Sequence, residues 1–397
     1  MRVAVIGGKL QGVEAVYLAK KAGWEVVLID KDNWVPAAEL CDRFYSVDVT
    51  EDVEWIPFLK DIDLIIPALE NQAALDSLVR IAKCASIPLM FDEDAYAISS
   101  SKIKSNMMFE RIGVPSPLAW PECGFPLIVK PSGASGSEGV VKLESSQEFH
   151  RLFEKGIKDW VIEEYLEGPS YSLEIIGFSG VYKVLQITEL HMDQCYDCKR
   201  VVGSANLSNQ LREEFEQIGL NLAKSLNLNG IMDVETILHR GHLKVLEIDA
   251  RIPSQTPIAV YHATGINMLE ILGQAFVLNR VWQAFEIAER RGAILEHIRV
   301  GSDCLEVSGE HIMSNVGPLY LYPDFFGTDE AFTNYLPGKT EWVATLIITG
   351  KDMKEAWDKR CAVIQAIRNE WDIRNYFDLD PAQHEQDVNH IKSASGS

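Results

Sequence analysis

Two neighbouring apolar segments of the chain each end in acids: Asp233 and Glu235 in the first, Glu247 and Asp249 in the second, followed by Arg251. Because side chains alternate between the faces of a strand, the acids of each segment share a face, and the two polar faces can meet. Grouped carboxylates repel one another unless a cation compensates, and oxygen ligands suit magnesium. Arg251 offers a planar fork to a phosphate or a developing oxyanion. The alternative is a solvent-exposed hairpin whose charges lie in water.

A serine- and glycine-rich loop follows the apolar segment that ends in Lys130, and it contains Ser135, Gly136 and Ser137. Such a loop can present backbone N–H groups to phosphates while Lys130 supplies positive charge. This loop has no Gly-Lys-Ser/Thr and is therefore not a Walker loop, so P-loop chemistry is not expected. A plain hairpin loop is the alternative. Further along, the segment 163–166 ends another apolar run and could offer backbone groups and a carboxylate to an adenine edge.

The first 91 residues alternate apolar segments with helical spacing, which predicts a parallel, doubly wound, Rossmann-like sheet. Strands are expected at 2–6, 25–29, 64–66 and 88–91, with a helix at 13–22. The turn after the first strand is rich in glycine but lacks the GxGxxG fingerprint, so an NAD-binding domain is the weaker alternative. Asp30 ends the second strand, where an acid can hold a ribose hydroxyl. A role in a helix cap or turn is equally open.

The remaining chain predicts a mixed α/β (α+β) protein of several domains. A second domain is expected over residues 92–290 and a smaller third one over 291–379. The polar tail 380–397 is expected to be disordered, because its composition cannot bury apolar surface.

Composition narrows the classes of partner. The formal net charge of −21 argues against nucleic-acid and anionic-membrane partners, and a cationic substrate fits better. No stretch approaches the roughly 20 apolar residues of a membrane span, and a cytoplasmic protein is expected. The seven cysteines show no metal-ligand spacing beyond a lone CxxC at Cys195 and Cys198, so structural thiols are expected.

Over roughly residues 92–290 the chain resembles the ATP-grasp superfamily. The resemblance rests on Lys102, Lys130, the serine-glycine loop, the segment 163–166 and the two segments that end in acids. The resemblance implies an ATP-grasp fold with an N-terminal Rossmann-like domain and a small C-terminal domain, with ATP and Mg2+ bound. It implies that Glu235, Glu247 and Asp249 ligate magnesium. Ser170 departs from the pattern, since many relatives place there a glutamate for the ribose, which makes Asp30 a candidate for that contact. The predicted ATP-binding residues are Lys9, Asp30, Lys102, Lys130, Ser135, Gly136, Ser137, Glu163, Glu164, Tyr165 and Leu166.

A closer resemblance covers nearly the whole chain. The segments 7–12, 70–71, 171–174, 196–198 and 230–257 resemble the ATP-grasp ligases of pyrrolysine biosynthesis. This implies a carboxylate–amine ligase that phosphorylates the carboxylate of 3-methyl-D-ornithine and then lets the ε-amine of L-lysine displace the phosphate. The implied catalytic residues are Lys130 and Arg251. The predicted substrate-binding residues are Leu10, Gln11, Glu70, Ser172, Glu174, Asp233, Arg251, Ser254 and His297.

Several alternatives stay open at this point. The chain could be another ATP-grasp amino-acid or dipeptide ligase, a purine-pathway carboxylase-like enzyme, or a non-catalytic nucleotide-binding module. Glu70 could instead cap a helix that starts at Asn71. His191 and His297 could be satisfied structural histidines. The sequence does not give the oligomeric state.

Overall fold

A computed structural model describes residues 1–51, 55–134, 139–153, 159–285, 287 and 290–381. The chain forms two compact units. The first unit comprises Met1–Phe91, Leu190–Ala205 and the part of the chain that begins at Ile252; the second comprises Asp92–Glu189 and Asn206–Arg251.

The strands of the described residues are β1 (Arg2–Ile6), β2 (Glu25–Asp30), β3 (Arg43–Ser46), β4 (Leu64–Pro67), β5 (Leu127–Pro131), β6 (Val141–Leu143), β7 (Trp160–Glu164), β8 (Ser170–Phe178), β9 (Val181–Met192), β10 (Cys198–Val202), β11 (Gly230–His239), β12 (His242–Asp249), β13 (Gly292–Val300), β14 (Cys304–Val307), β15 (Tyr320–Pro323), β16 (Glu330–Thr333), β17 (Trp342–Gly350) and β18 (Asn375–Phe377). The α-helices are α1 (Leu10–Lys21), α2 (Gln72–Ala85), α3 (Glu93–Ser99), α4 (Lys102–Ile112), α5 (Ser146–Phe153), α6 (Asn209–Leu226), α7 (Thr256–Thr264), α8 (Met268–Leu278) and α9 (Met353–Glu370).

The N-terminal part of the first unit is the predicted parallel sheet, in the order β3-β2-β1-β4. Its central strands β1 and β2 are apolar and buried, as expected for a sheet covered on both faces. The strand predicted at 88–91 is wrong, since only a single bridge joins Leu89 to Ile65. The segment is cut short because Asp92 caps helix α3 at once, its carboxylate accepting the N–H of Ala95.

The C-terminal part of the first unit is an antiparallel sheet in the order β10-β13-β17-β16-β15, with β14 pairing β13 and β18. Helix α9 packs on β13 and β17 over a core that includes Trp342, Ile298 and Val363. This part shares a unit with the N-terminal sheet, because the carboxylate of Glu14 in α1 accepts the N–H groups of Gln255 and Ile258 at the start of α7. The domain limits inferred from the sequence stay predictions.

The second unit holds two sheets. The smaller has the order β6-β5-β7, and the larger places β12, β11, β8 and β9 side by side in this order. Helix α6 packs on β8, while α3 and α4 pack on β12. The turn into β8 requires glycine at position 168, because its φ is +152° and a Cβ there would lie 2.1 Å from the carbonyl oxygen of Leu238. This close approach fixes the start of β8 against the end of β11.

Candidate active site

Three adjacent antiparallel strands of the second unit place their polar side chains on one face. Across the β11–β12 ladder, Asp233 faces Asp249 and Glu235 faces Glu247. Across the β11–β8 ladder, Asp233 faces Glu174 and Glu235 faces Ser172. Directly paired residues share a face of a sheet. We call the resulting set the carboxylate face: Ser172, Glu174, Asp233, Glu235, Glu247 and Asp249.

The opposite face of the same strands is apolar, because Leu173, Val234 and Ile248 occupy the alternate positions and are buried. The predicted alternation and the meeting of the two polar faces are confirmed. The alternative of a hairpin lying in water is wrong, since Glu174 is 0% exposed and Asp233 is 4% exposed.

The carboxylate face holds more negative charge than its surroundings balance. Burial, and then the charges of Asp249 and Glu235, raise the pKa of Asp233 well above its ordinary value. Burial, Glu247 and Asp249 raise the pKa of Glu235 to about 8. The Oδ1 atom of Asp233 is buried and has no hydrogen-bond partner among the described residues. Oxygen donors with uncompensated charge are the environment that a divalent cation such as Mg2+ fits.

Two cationic side chains already approach this face. Helix α4 begins at Lys102, whose ammonium lies 2.8 Å from Glu247 and donates to the carbonyl of Ala134 at 2.6 Å. Burial lowers the pKa of Lys102, but its acidic neighbours, with Glu247 first, raise the pKa by more. Burial raises the pKa of Glu247, but the positive charges of Lys102 and Lys130 outweigh burial. The pKa of Glu247 is therefore below its ordinary value. Arg251 lies 3.0 Å from Asp249.

Within the described residues, the carboxylate and imidazole groups that converge to within 4.8 Å of one another are those of Asp193, Asp197 and His311, in the first unit. The Asp193 carboxylate accepts N–H groups of Cys195, Asp197 and Gly309, so it ties a loop together. The predicted magnesium ligands are instead held by Lys102 and Arg251, and their metal role stays a prediction.

Lys130 and Glu163 form a buried ion pair at 2.6 Å between β5 and β7. The loop that follows β5 is anchored on α4, because Lys102 N–H donates to the Ser132 carbonyl and Ile103 N–H to the Ser132 hydroxyl. The predicted phosphate-binding residues Ser135, Gly136 and Ser137 lie outside the described residues.

The segment after β7 is held by contacts that sequence reasoning missed. The carboxylate of Glu164 accepts the N–H of Leu118 at 2.9 Å and pairs with Lys244. Burial raises the pKa of Glu164, but Lys244 lowers it below its ordinary value. The ammonium of Lys142 lies 4.1 Å from the ring centre of Tyr165. Leu166 is buried.

In the first unit, predicted site residues form hydrogen bonds to the backbone and to one another. Asp30 accepts the N–H of Gly8 at 2.7 Å, which ties the second strand to the glycine-rich turn that leads to Lys9. Gln11 donates to Glu70 at 2.7 Å. Helix α2 is capped by Asn71, whose Oδ1 accepts the Ala74 N–H, so the alternative that Glu70 caps this helix is wrong.

Three other predicted substrate residues, Leu10, Ser254 and His297, line one small cavity of the first unit, with about 20 Å3 of space. Gln255 lines it too and was not predicted. Its φ of +70° and ψ of −50° are unusual for a residue other than glycine, and strain of this kind often accompanies functional sites. Gln255 Oε1 and His297 Nε2 are both buried without a hydrogen-bond partner among the described residues.

Burial, and to a lesser degree His311, lowers the pKa of His297 to about 3. Nδ1 of the neutral imidazole lies 2.8 Å from the Thr345 hydroxyl, and in the tautomer that is protonated at Nδ1 the Nε2 atom presents a lone pair. The cavity wall therefore offers an acceptor at Gln255 Oε1 and, in that tautomer, a second one at His297 Nε2.

The fold and the carboxylate face, with Lys102 beside it, are those expected of an ATP-grasp ligase. Residues 99–255 match the family model of the ATP-grasp domain, and residues 3–89 match that of the PylC-like N-terminal domain.

Curated relatives narrow the class further. The chain is 38% identical over 372 residues to the 3-methyl-D-ornithine–L-lysine ligase of Methanosarcina barkeri, covering 92% of this chain and 97% of the relative. It is also 38% identical over 363 residues to the ligase of the same name from Methanosarcina acetivorans, covering 90% and 95%. The chain belongs to this family of ATP-grasp ligases.

Solved structures share the fold. The biotin carboxylase domain of Hydrogenobacter thermophilus 2-oxoglutarate carboxylase, crystallised with MgADP, ADP and bicarbonate, superimposes with a TM-score of 0.72 at 16% identity, over 92% of this chain and 89% of that one. The L-amino acid ligase from Bacillus licheniformis has a TM-score of 0.68 at 17% identity, over 92% and 97%. No described helix is long and apolar enough to cross a membrane.

Proposed function

We propose that this ligase joins the carboxylate of 3-methyl-D-ornithine to the ε-amine of L-lysine, with ATP as the source of activation and Mg2+ as the metal. The carboxylate face is the observation on which the proposal rests. It combines a set of oxygen ligands for a cation with buried acids, and a diamino acid supplies ammonium groups that can pair with such acids.

The residues that would hold magnesium are Glu235, Glu247 and Asp249. They fit the ion because all are carboxylates and because burial, Glu247 and Asp249 raise the pKa of Glu235, a repulsion that a bound cation would relieve. Magnesium supplies charge neutralisation for the phosphates of ATP.

The lysines act on the nucleotide. A phosphate brought to this face competes with Glu247 for Lys102 and with Glu163 for Lys130, and both ammonium groups are fixed by neighbouring elements. Fixed positive charges in a site of restricted water access stabilise the charge that develops on the transferred phosphoryl group. We assign the adenine to the segment 163–166, and Lys9 and Asp30 stay predicted nucleotide-binding residues.

Two steps of chemistry follow. An oxygen of the methylornithine carboxylate attacks the γ-phosphorus and ADP leaves, which gives an acyl phosphate. The lysine ε-nitrogen then attacks the acyl carbon, the C–O bond to phosphate breaks, and the nitrogen loses a proton as the amide forms. Arg251, next to Asp249, neutralises the oxygens of the carboxylate and later of the tetrahedral intermediate.

Substrate amines need acceptors. In the second unit, Glu174 and Asp233 are buried acids and Ser172 donates its hydroxyl to Glu174 at 2.8 Å, so we assign this group to the methylornithine amines. For L-lysine we assign Leu10, Gln11, Glu70, Ser254 and His297 of the first unit. The lone pair of His297 and the Oε1 of Gln255 support this assignment, because both accept from an N–H donor.

The test is to incubate the protein with ATP, Mg2+, L-lysine and 3-methyl-D-ornithine, and to follow ADP release and the ligated product by mass spectrometry. Equal turnover with an unrelated amino-acid pair, and none with this one, would overturn the proposed substrates. Glu247→Gln should abolish ADP release while the far-UV circular dichroism stays unchanged. Glu213→Gln, at an exposed position of α6, is the matched control and should keep full turnover. Normal turnover of the Glu247 variant would contradict the metal assignment.

A further inference from the structure

The first unit contains an open cavity of about 850 Å3 whose lining is rich in cations. Of the eight described residues that line it, six are charged, four of them cations and two of them acids, whereas the whole chain has 37 Lys and Arg against 58 Asp and Glu. The local sign of charge is therefore the reverse of that of the protein. The lining residues are Arg290, Arg291, Asp329, Thr349, Gly350, Lys351, Glu355 and Lys359.

The two acids of this cavity are already engaged. Asp329 pairs with Lys359 at 2.9 Å and accepts the N–H of Thr349, and its pKa is lowered because Lys359 and this N–H outweigh the effect of burial. Glu355 accepts the backbone N–H of Lys351 at the start of α9. Arg291 donates to the hydroxyl of Thr349 at 3.3 Å. Among the described residues, neither the guanidinium of Arg291 nor the ammonium of Lys351 has a carboxylate within ion-pair distance.

The two cations follow directly on a pair of facing glycines. Gly292 and Gly350 face each other at the end of the β13–β17 ladder, and Arg291 and Lys351 are the residues just outside the two strands. A Cβ at Gly292 would lie 2.2 Å from the Asp352 carbonyl oxygen, and one at Gly350 would lie 2.5 Å from the Ala356 nitrogen. The two glycines thus allow the strand ends to lie against the first turn of α9, and both cations line the same cavity.

The N-terminus of helix α9 is already satisfied, because the N-cap residue Asp352 accepts the N–H of Glu355 and Glu355 lies in the first turn. The cationic side chains are therefore the groups that offer contacts to a ligand. An arginine fork beside a lysine recognises a phosphate group by two parallel hydrogen bonds and a point charge.

We propose that this cavity is a binding site for a phosphate-bearing small anion, separate from the residues assigned to ATP and to the diamino acids. Arg291 and Lys351 make the direct contacts, and Arg290 lines the same wall. The volume accommodates a ligand larger than inorganic phosphate, so a phosphorylated metabolite or diphosphate is the class of ligand.

Titration calorimetry with inorganic pyrophosphate, on the full chain in EDTA, tests the site. We expect one binding event, weakened at least about tenfold, or about 1.4 kcal/mol, by Arg291→Gln and by Lys351→Gln. Lys354→Gln is the matched control: this side chain is 85% exposed, pairs with Asp358 on α9 and does not line the cavity. Lys130→Gln tests whether pyrophosphate binds instead to the residues assigned to ATP. Both of these variants should bind as the wild type does.

Circular dichroism confirms that each variant is folded, and the exposed position of Lys351 makes that variant the safer reporter. Absence of any binding event, or equal affinity in the wild type and the Lys351 variant, overturns the proposal. Loss confined to the Lys130 variant also overturns it, because the anion then binds the lysine assigned to ATP. If citrate binds as tightly as pyrophosphate and Lys351→Gln weakens its binding to the same degree, the assignment of a phosphate ligand rather than a carboxylate ligand is overturned.

Discussion

Glu296 lies at the centre of a buried ion network in the first unit, and its removal should destabilise the protein strongly. Its side chain is 0% exposed and pairs with Arg200 and, through Arg360 Nε and Nη2 at 2.9 and 3.0 Å, with helix α9. Asp378 pairs with the same two arginines and with Lys199, which is fully buried. The network therefore joins β10, β13 and α9 to the segment that follows β18.

The variant Glu296→Gln keeps the shape of the side chain and removes its charge. Arg200 and Arg360 stay ionised, because for each of them Glu296 is only one of the groups that raise its pKa against the effect of burial. Breaking one partner out of a buried pair costs about 3–5 kcal/mol. With an unfolding entropy of about 2.1 cal/mol/K per residue, a loss of about 4 kcal/mol lowers the midpoint of a 397-residue chain that unfolds cooperatively by about 5 °C.

Thermal unfolding followed by calorimetry measures this loss. Glu370→Gln removes the same charge from an exposed position at the end of α9, and surface changes of this kind stay within about 0.5 kcal/mol. If the Glu296 variant melts at the same temperature as the Glu370 variant, the network does not stabilise the fold in the way that its geometry indicates.

Three further predictions concern single side chains. Because the pKa of His297 is lowered to about 3, the unfolded chain takes up a proton below about pH 6.5 that the folded chain does not, so its contribution to the free energy of unfolding falls by about 2 kcal/mol between pH 6.5 and 4.5. His297→Gln should remove this part of the acid sensitivity in urea unfolding at the two pH values, and an unchanged difference would contradict it. Asn71→Ala should cost about 1 kcal/mol through the lost N-cap of α2, whereas Asn221→Ala, an exposed-face change on α6, should cost less; equal losses in chemical denaturation would argue against the cap. In EDTA, Asp233→Asn should raise the thermal midpoint, because it removes a buried acid whose ionisation is disfavoured by Asp249 and Glu235 while the shape is kept; a lower midpoint would refute that account of the carboxylate face.

The sequence predicted those parts of the site that depend on local periodicity. The alternation around Asp233, Glu235, Glu247 and Asp249 is a property of consecutive residues, so their shared face followed from strand geometry alone. The pairing of Asp233 with Glu174 joins residues about 60 positions apart, and no local pattern specifies the register of β8 on β11. Family resemblance supplied Glu174 and also Lys102, which is the first residue of an ordinary helix and has no local signal of its own.

Contacts between distant elements were the part that the sequence did not reveal. The ammonium of Lys142 beside Tyr165, the strained backbone at Gln255 and the ion network around Glu296 all depend on tertiary packing. Residues 88–91 show how a local pattern can mislead. Their apolar run favours a strand, but the strand does not form because the cap residue Asp92 starts a helix immediately after it.

The carboxylate face and the cation-rich cavity are the same kind of arrangement with opposite sign. In each, the fold brings like charges to one place: the β8–β11–β12 registers do so for Asp233, Glu235 and their neighbours, and the lining of one cavity does so for Arg291 and Lys351. Side chains of the protein balance part of the charge, as Lys102 does for Glu247, and leave the rest. Like charges that the fold concentrates and only partly neutralises lower the stability of the protein without ligand. They also raise its affinity for a counter-ion, so we expect a ligand of opposite charge to stabilise the protein at each place.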